Sequence, residues 1–221
     1  MPCAAAADGD EGRRRRRGQE QLMETVVLEK TIVRLGSLLA LGFGRAGAKI
    51  IGQNMRGSST AAINAMVEGT RVDCIIGVAR IDDFSFATEV LQTKVMTFVN
   101  QIAEIVHGVV DEYHGYPSRN SQDTFLVVWR TSELPRLRVR KMADMSMMAF
   151  VRILGAIHRA PVLAEYRDHP RVQQRLGKNC RVNLSSGLHY GWAIEGTVGT
   201  EFKVDASYLS PNVSIAEGVE R

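Results

Sequence analysis

Cysteine is scarce. The 221 residues contain three, Cys3, Cys74 and Cys180, odd in number, widely spaced and in no Cys-x-x-Cys pair. That excludes a disulfide framework and a cysteine zinc site, and makes a reducing cytoplasm the expected compartment. Six prolines and 6% aromatic residues are far from collagenous or disordered compositions. Long apolar runs are also missing. The best candidate, Leu35 to Phe43, is interrupted by Gly36 and Gly42 and flanked by Arg34 and Arg45, well short of the roughly 18 residues a membrane span needs. No transmembrane segment is expected. Met1 to Gly18 carries charge with no apolar stretch behind it, unlike a signal peptide, and Pro2 excludes N-myristoylation.

What the chain does have, 45% hydrophobic and 24% charged residues, fits one soluble globular domain with an extension. Net charge is +4, but five positive charges sit together in Arg13 to Arg17. That run reads as part of a solvated tail over residues 1–23, with a nuclear-import or anionic-surface patch as the functional alternative. A second basic stretch, Arg136, Arg138, Arg140 and Lys141 beside Pro135, is expected to be an exposed loop or edge rather than a nucleic-acid groove.

Leu28, Ile32, Leu35 and Leu39 recur at helical spacing, so Glu24 to about Leu41 is predicted to be an amphipathic helix, with Gly42 to Gly47 a turn after it. Residues 24–69 are expected to form a coupling or dimerisation helix and linker, and residues 70–221 the main domain. The apolar run Val72 to Ala79 has the length of a buried strand. A long helix is expected to open at Thr88 and Glu89, carry Leu91, Val95, Phe98, Ile102, Ile105, Val106 and Val109 on one face, and end near Gly115. A hairpin follows, Tyr116 to Asn120 and Thr124 to Trp129, then a Met-rich helix Ala143 to Ala160. Strands are expected at Arg181 to Trp192 and Phe202 to Val204 around a Gly196 to Thr200 turn, and Pro211 should sit in the first turn of a last helix. This order implies an α+β, ferredoxin-like sandwich: an antiparallel sheet with helices on one face. His189 and Cys74 read as packed strand residues rather than ligands.

Four stretches, Phe84 to Gln92, Asp123 to Trp129, Gly187 to Gly191 and Asp205 to Val213, together resemble the class III adenylate and guanylate cyclases, most closely those of protists and algae. The likeness runs from about Leu28 to the C-terminus and implies that residues 70–221 are a cyclase homology domain. It also implies conversion of ATP or GTP to a 3′,5′-cyclic nucleotide and pyrophosphate at a dimer interface, with Mg²⁺ or Mn²⁺ held by two aspartates.

On that resemblance the second metal aspartate falls on Asp123, but the first falls on Arg80, with Asp82 as a substitute. The base-reading lysine falls on Arg119 and its companion on Ser207. The transition-state asparagine and arginine fall on Ser214 and Gly218. Gln122 replaces the glycine that usually precedes the second aspartate. Family members continue beyond the last helix, so the copy is expected to be incomplete at its C-terminus and to leave sheet surface for a partner. Losing one oxyanion-type donor costs about 10² to 10³ in rate, so an impaired cyclase homologue in intracellular signalling is expected. It would pair as a homodimer or with another cyclase domain. A basic RNA-binding module shares the strand and helix order, but its strands here lack stacking aromatics, so no nucleic-acid partner is expected.

Overall fold

The computed structural model describes residues 25–38, 68–177, 180–200 and 203–220. The chain divides into two compact units, residues 1–42 and 43–221. In the first, residues 25–38 form helix α1, and every one of its side chains is exposed. The expected turn at Gly42 to Gly47 lies outside the described residues.

The second unit is built on β1 (Thr70–Ile81), and its sequence explains its place. Successive side chains of a strand point to opposite faces, and β1 is apolar on both: Ile75, Ala79 and Ile81 join one buried cluster, Val72, Cys74, Ile76 and Val78 another. Such a strand is stable only in the middle of a covered sheet. β1 pairs antiparallel with β3 (Thr124–Arg130) on one side and with β4 (Leu184–Thr200) on the other. β2 (Tyr116–Ser121) flanks β3 and β5 (Lys203–Leu209) flanks β4, giving the order β2-β3-β1-β4-β5. The α+β sandwich with an antiparallel sheet is therefore as the sequence implies.

The first face is covered by α3 (Val95–Glu112) and α4 (Arg136–Arg159). Trp129, with no exposed surface, packs on Phe150 and donates its indole N–H to the Tyr113 carbonyl at 3.0 Å. The second face is covered by α7 (Pro211–Val219), whose Val213 and Ala216 join the Cys74 cluster, so helices lie on both faces of the sheet and not on one as the element order implied. Those two side chains supply about 2–3 kcal/mol by burial, so polar anchors of about 1 kcal/mol each carry a comparable share. Ser210 caps the helix by accepting from Asn212 N at 3.0 Å, and its hydroxyl and the Asn212 amide both donate to the Trp192 carbonyl. The Asn212 Oδ1 then faces His189 Nε2 at 2.9 Å, so that nitrogen carries the proton. The close seat requires glycine: a Cβ at Gly187 would meet Ala216 O at 2.5 Å, and one at Gly191 the Asn212 side chain at 2.4 Å.

Several boundaries differ from expectation. The long helix begins earlier, as α2 (Phe84–Leu91), and is broken before α3 by a turn at Gln92 with φ 49°. The basic stretch Arg136 to Lys141 is not a loop but the first turns of α4. Pro135 occupies its N-cap position, and Arg, Lys and Met are good helix formers. β4 runs through Gly196 to Thr200, because each of those residues pairs with β5 instead of turning. Arg181 to Asn183 precede it outside any strand. Two short helices, α5 (Ala164–Arg167) and α6 (Pro170–Leu176), had no counterpart in the pattern.

Cys74 is fully buried, and desolvation, with Asp73 and Glu195 nearby, pushes its thiol up to about 11. In a variant whose other cysteines are serine, native Cys74 is expected to react with a disulfide reagent at pH 8 at under about 1% of its rate in urea, since only exposed thiolate attacks. Equal rates would place Cys74 outside the sheet core. On α3, burial lowers the pKa of His107, while its bond to Asn120 at 3.0 Å opposes the shift. A depressed histidine pKa means the unfolded chain takes up the proton first. This contribution is present above the ordinary value of 6.5 and is lost as pH falls below it. His107→Gln is expected to flatten the fall in urea midpoint between neutral pH and pH 5, an unchanged fall counting against it.

Candidate active cleft

β1 ends at Ile81, and the hairpin turn between β2 and β3 delivers Asp123 beside it: Ile81 N donates to the Asp123 carbonyl at 2.9 Å, and Arg80 is paired with Thr124 in the register. Gln122, just before, has φ 54°. A left-handed conformation costs a non-glycine residue about 1–2 kcal/mol, so the turn that aims Asp123 is strained where glycine would relax it. Around these strand ends lies an open cleft of about 620 Å³, lined by Arg80, Asp82, Asp83, Asp123, Arg175 and Glu220 among others.

Arg80 is one of its two cations. Its Nη2 lies 2.9 Å from Glu220 Oε2, and its Nε lies 3.9 Å from Asp123 Oδ2. The Glu220 side chain is 2% exposed, and among the described residues its Oε2 has no aligned hydrogen-bond donor, so the contact is an ion pair whose N–H points off the oxygen. A carboxylate this buried depends on its cation: removing one partner of a buried pair typically costs about 3–5 kcal/mol. Asp123 also accepts from the Thr124 hydroxyl at 3.0 Å.

Asp82 is not on the strand. It lies in the turn after Ile81, its N–H bonded to the Asn183 carbonyl at 3.1 Å and its carboxylate accepting from the Ser185 hydroxyl at 2.5 Å. It shares the cleft with Asp123 but not the strand face that a period of two would give. Across the cleft, Arg175 stacks on Phe86, with its guanidinium carbon 4.7 Å from the ring centre. Two guanidinium groups thus face four carboxylates. Among the described residues no group of three or more His, Cys, Asp or Glu side chains is placed to hold a metal ion. A guanidinium stands between Asp123 and Glu220 where a divalent cation would have to sit, so these residues do not fit a metal pair.

The other expected positions lie along α7 and the outer strands. Ser214 and Gly218 are exposed and four residues apart, hence on one stripe of α7. A side chain added at Gly218 meets nothing within 4 Å. Arg119, on β2, reaches α7, with Nη2 3.8 Å from Glu217 Oε1. Ser207 is half-buried on β5, opposite Gly196. Gly218→Arg is expected to raise stability by up to about 1 kcal/mol, because arginine is the better helix former; a loss in the urea midpoint would mean that α7 is closed over there.

Glu220, Ser185 and Arg175 were missed from sequence. For Glu220 the signal was present: Val213, Ala216 and Glu220 recur at helical spacing, and a carboxylate on a buried stripe needs a partner.

A family model described as RasGEFs all helical domain matches residues 1–56, about a quarter of the chain. No curated protein matches the sequence. Among solved structures, a bacterial light-regulated adenylyl cyclase superposes with TM-score 0.63 at 23% identity, over 90% of this chain and 52% of that one. The present chain spans about half its length. The adenylyl cyclase CyaB from P. aeruginosa gives 0.54 at 17%, over 70% and 74% of the two chains. The guanylate cyclase domain of RhGC from Catenaria anguillulae, in complex with GTP, gives 0.53 at 14%, over 67% and 72%. At such identities the likeness is one of fold, and the chain has the fold of the adenylyl and guanylyl cyclase catalytic domains.

Proposed function

We propose that this chain is a catalytically impaired purine-nucleotide cyclase homologue that serves as the dimerisation or regulatory partner of another cyclase domain, or of its own copy, in the cytoplasm. The observation that carries this reading is the Arg80 guanidinium paired with Asp123 and Glu220. A cyclase needs divalent cations to lower the pKa of the ribose hydroxyl and to neutralise the phosphates; an arginine here neutralises the carboxylates instead. Ser214 and Gly218 offer no amide or guanidinium to the charge that develops on the phosphates. Arg119 and Ser207 remain as contacts for a purine edge, compatible with ATP or GTP. Residues 24–69 are assigned to coupling and dimerisation, residues 70–221 to the cyclase homology domain.

Purified alone, the chain should make no cyclic AMP or cyclic GMP above background with Mg²⁺ or Mn²⁺; turnover abolished by Asp82→Ala would overturn impairment and make Asp82 a metal ligand. Competition of a fluorescent ATP or GTP analogue, with and without Mn²⁺, distinguishes a nucleotide-binding partner from a purely structural one. Mixing with an intact cyclase domain tests partnership directly, and a monodisperse monomer by light scattering at about tens of micromolar, where weak interfaces are populated, would contradict self-association.

A further inference from the structure

Helix α4 has two apolar faces. The inner one, Ala149, Phe150, Ile153 and Ile157, is in the core. The outer one shows Leu137, Met147, Met148 and Val151 to solvent at 53–66% exposure. Around that stripe stand Arg136, Arg138, Lys141, Arg152 and Arg159, and within it stand Arg140 and the helix's single acid, Asp144, about one turn apart; all are exposed. Among the described residues none of the six cations has a carboxylate within ion-pair distance. Arg159 only turns back, its Nε donating to the Gly155 carbonyl at 3.0 Å. Unpaired cations beside exposed methionines are a poor arrangement for bulk water alone.

We propose that the outer face of α4 docks on an anionic lipid bilayer, lying in the plane of the interface. With 24 residues the helix is about 36 Å long, and cations flank the apolar side chains along its length, the pattern of a helix whose stripe enters the acyl boundary while its long basic side chains reach lipid phosphates. A groove that engulfs a basic helix does not fit, because the opposite face of α4 is locked against the sheet; the occupant must be broad and flat. Nucleic acid would use the cations and leave the four apolar side chains idle. The neighbouring α3 sets the tilt: it carries Glu104, Asp111 and Glu112 and no lysine or arginine, so it turns from the anionic surface as α4 turns toward it. At the C-terminal end of α4, a hollow of about 240 Å³ lined by His158, Arg159, Arg167 and Arg181 extends the basic surface, although Arg167 there is paired with Asp168.

The test is co-sedimentation of the full chain with vesicles of phosphatidylcholine alone or with one third phosphatidylserine. Sedimentation is expected only with the anionic vesicles, and loss is expected in about 1 M salt, where screening shortens the range to about 3 Å. The triple variant Arg138→Glu, Arg140→Glu, Lys141→Glu should weaken partitioning at least about a hundredfold, near fivefold for each cation removed. Met148→Asp with Val151→Asp should weaken it at least about tenfold by removing the inserted stripe. Changing Arg13 to Arg17 to glutamine should leave most binding intact. Equal sedimentation with neutral vesicles would overturn the proposal, as would a loss confined to the Arg13 to Arg17 variant. So would retention on polyglutamate without vesicle binding, which would identify an acidic protein as the occupant. The lipid and salt comparisons on the unaltered chain decide even if a variant fails to fold.

Discussion

Arg80→Asp is expected to lower stability by about 3 kcal/mol without divalent cation and to regain most of it in Mn²⁺. Removal of the guanidinium leaves Glu220, 2% exposed, without its cation, and breaking a buried pair typically costs about 3–5 kcal/mol. The lower figure applies because Arg80 itself is 28% exposed and water screens part of the pair. The new carboxylate would stand beside both Asp123 and Glu220, making three convergent acids, the kind of oxygen-rich set that holds a divalent cation. Ligand at a hundredfold over its Kd stabilises by about 2.7 kcal/mol, which nearly closes the loss. In a domain of this size that is a fall, then a recovery, of about 6–12 °C in Tm. The unaltered protein should show no Mn²⁺-dependent shift. A variant as stable as its parent would mean that the ion pair contributes nothing, and a variant destabilised yet indifferent to Mn²⁺ would mean that the three acids do not converge. On the proposed reading of Ser214 and Gly218, catalysis should still be missing unless a partner domain supplies an asparagine and an arginine.

Gly187→Ala is expected to unseat α7. Its Cβ would lie 2.5 Å from the Ala216 carbonyl oxygen and 2.8 Å from the Glu220 amide nitrogen, both backbone atoms that no rotamer change can move. The helix must lift or tilt, which withdraws Glu220 from Arg80 and uncovers Val213 and Ala216, so about 2–3 kcal/mol is expected, the upper range for overpacking. Loss of coupling is the sharper signature. Arg80→Ala should cost much less in the Gly187→Ala background than in the parent, because the pair is already separated. Additive losses in a double-mutant cycle would show that α7 tolerates the methyl group in place.

The fold was largely legible because its centre is unambiguous. β1 is apolar on both faces, α3 repeats at helical spacing, and Pro211 after Ser210 marks a helix start. Two readings failed for local reasons. Arg136 to Lys141 alternates like an edge strand, yet Val139 and Met142, three apart, both turn inward on a helix, and the arginines are its solvent side. Gly196 and Gly199 look like turn residues, but the partner that keeps them extended, β5, contributes through pairings no local window contains. In the cleft, the closeness of Arg80 and Asp123 followed from the family resemblance alone, not from any local pattern. The place of Glu220 on the inward stripe of α7 was readable, but its partner was not, since it reaches Arg80 from 140 positions along the chain through a helix folded over the sheet's second face.

The paired helices of the first face have a further consequence. α3 carries three acids and no base, α4 six bases and one acid, and they lie side by side over one core. A net charge of only +4 therefore conceals a lateral electric moment. Such a molecule presents opposite flanks to opposite matrices: at low ionic strength it should be retained on a cation exchanger through one helix and retarded on an anion exchanger through the other, near a pH at which its average charge alone would forbid the second.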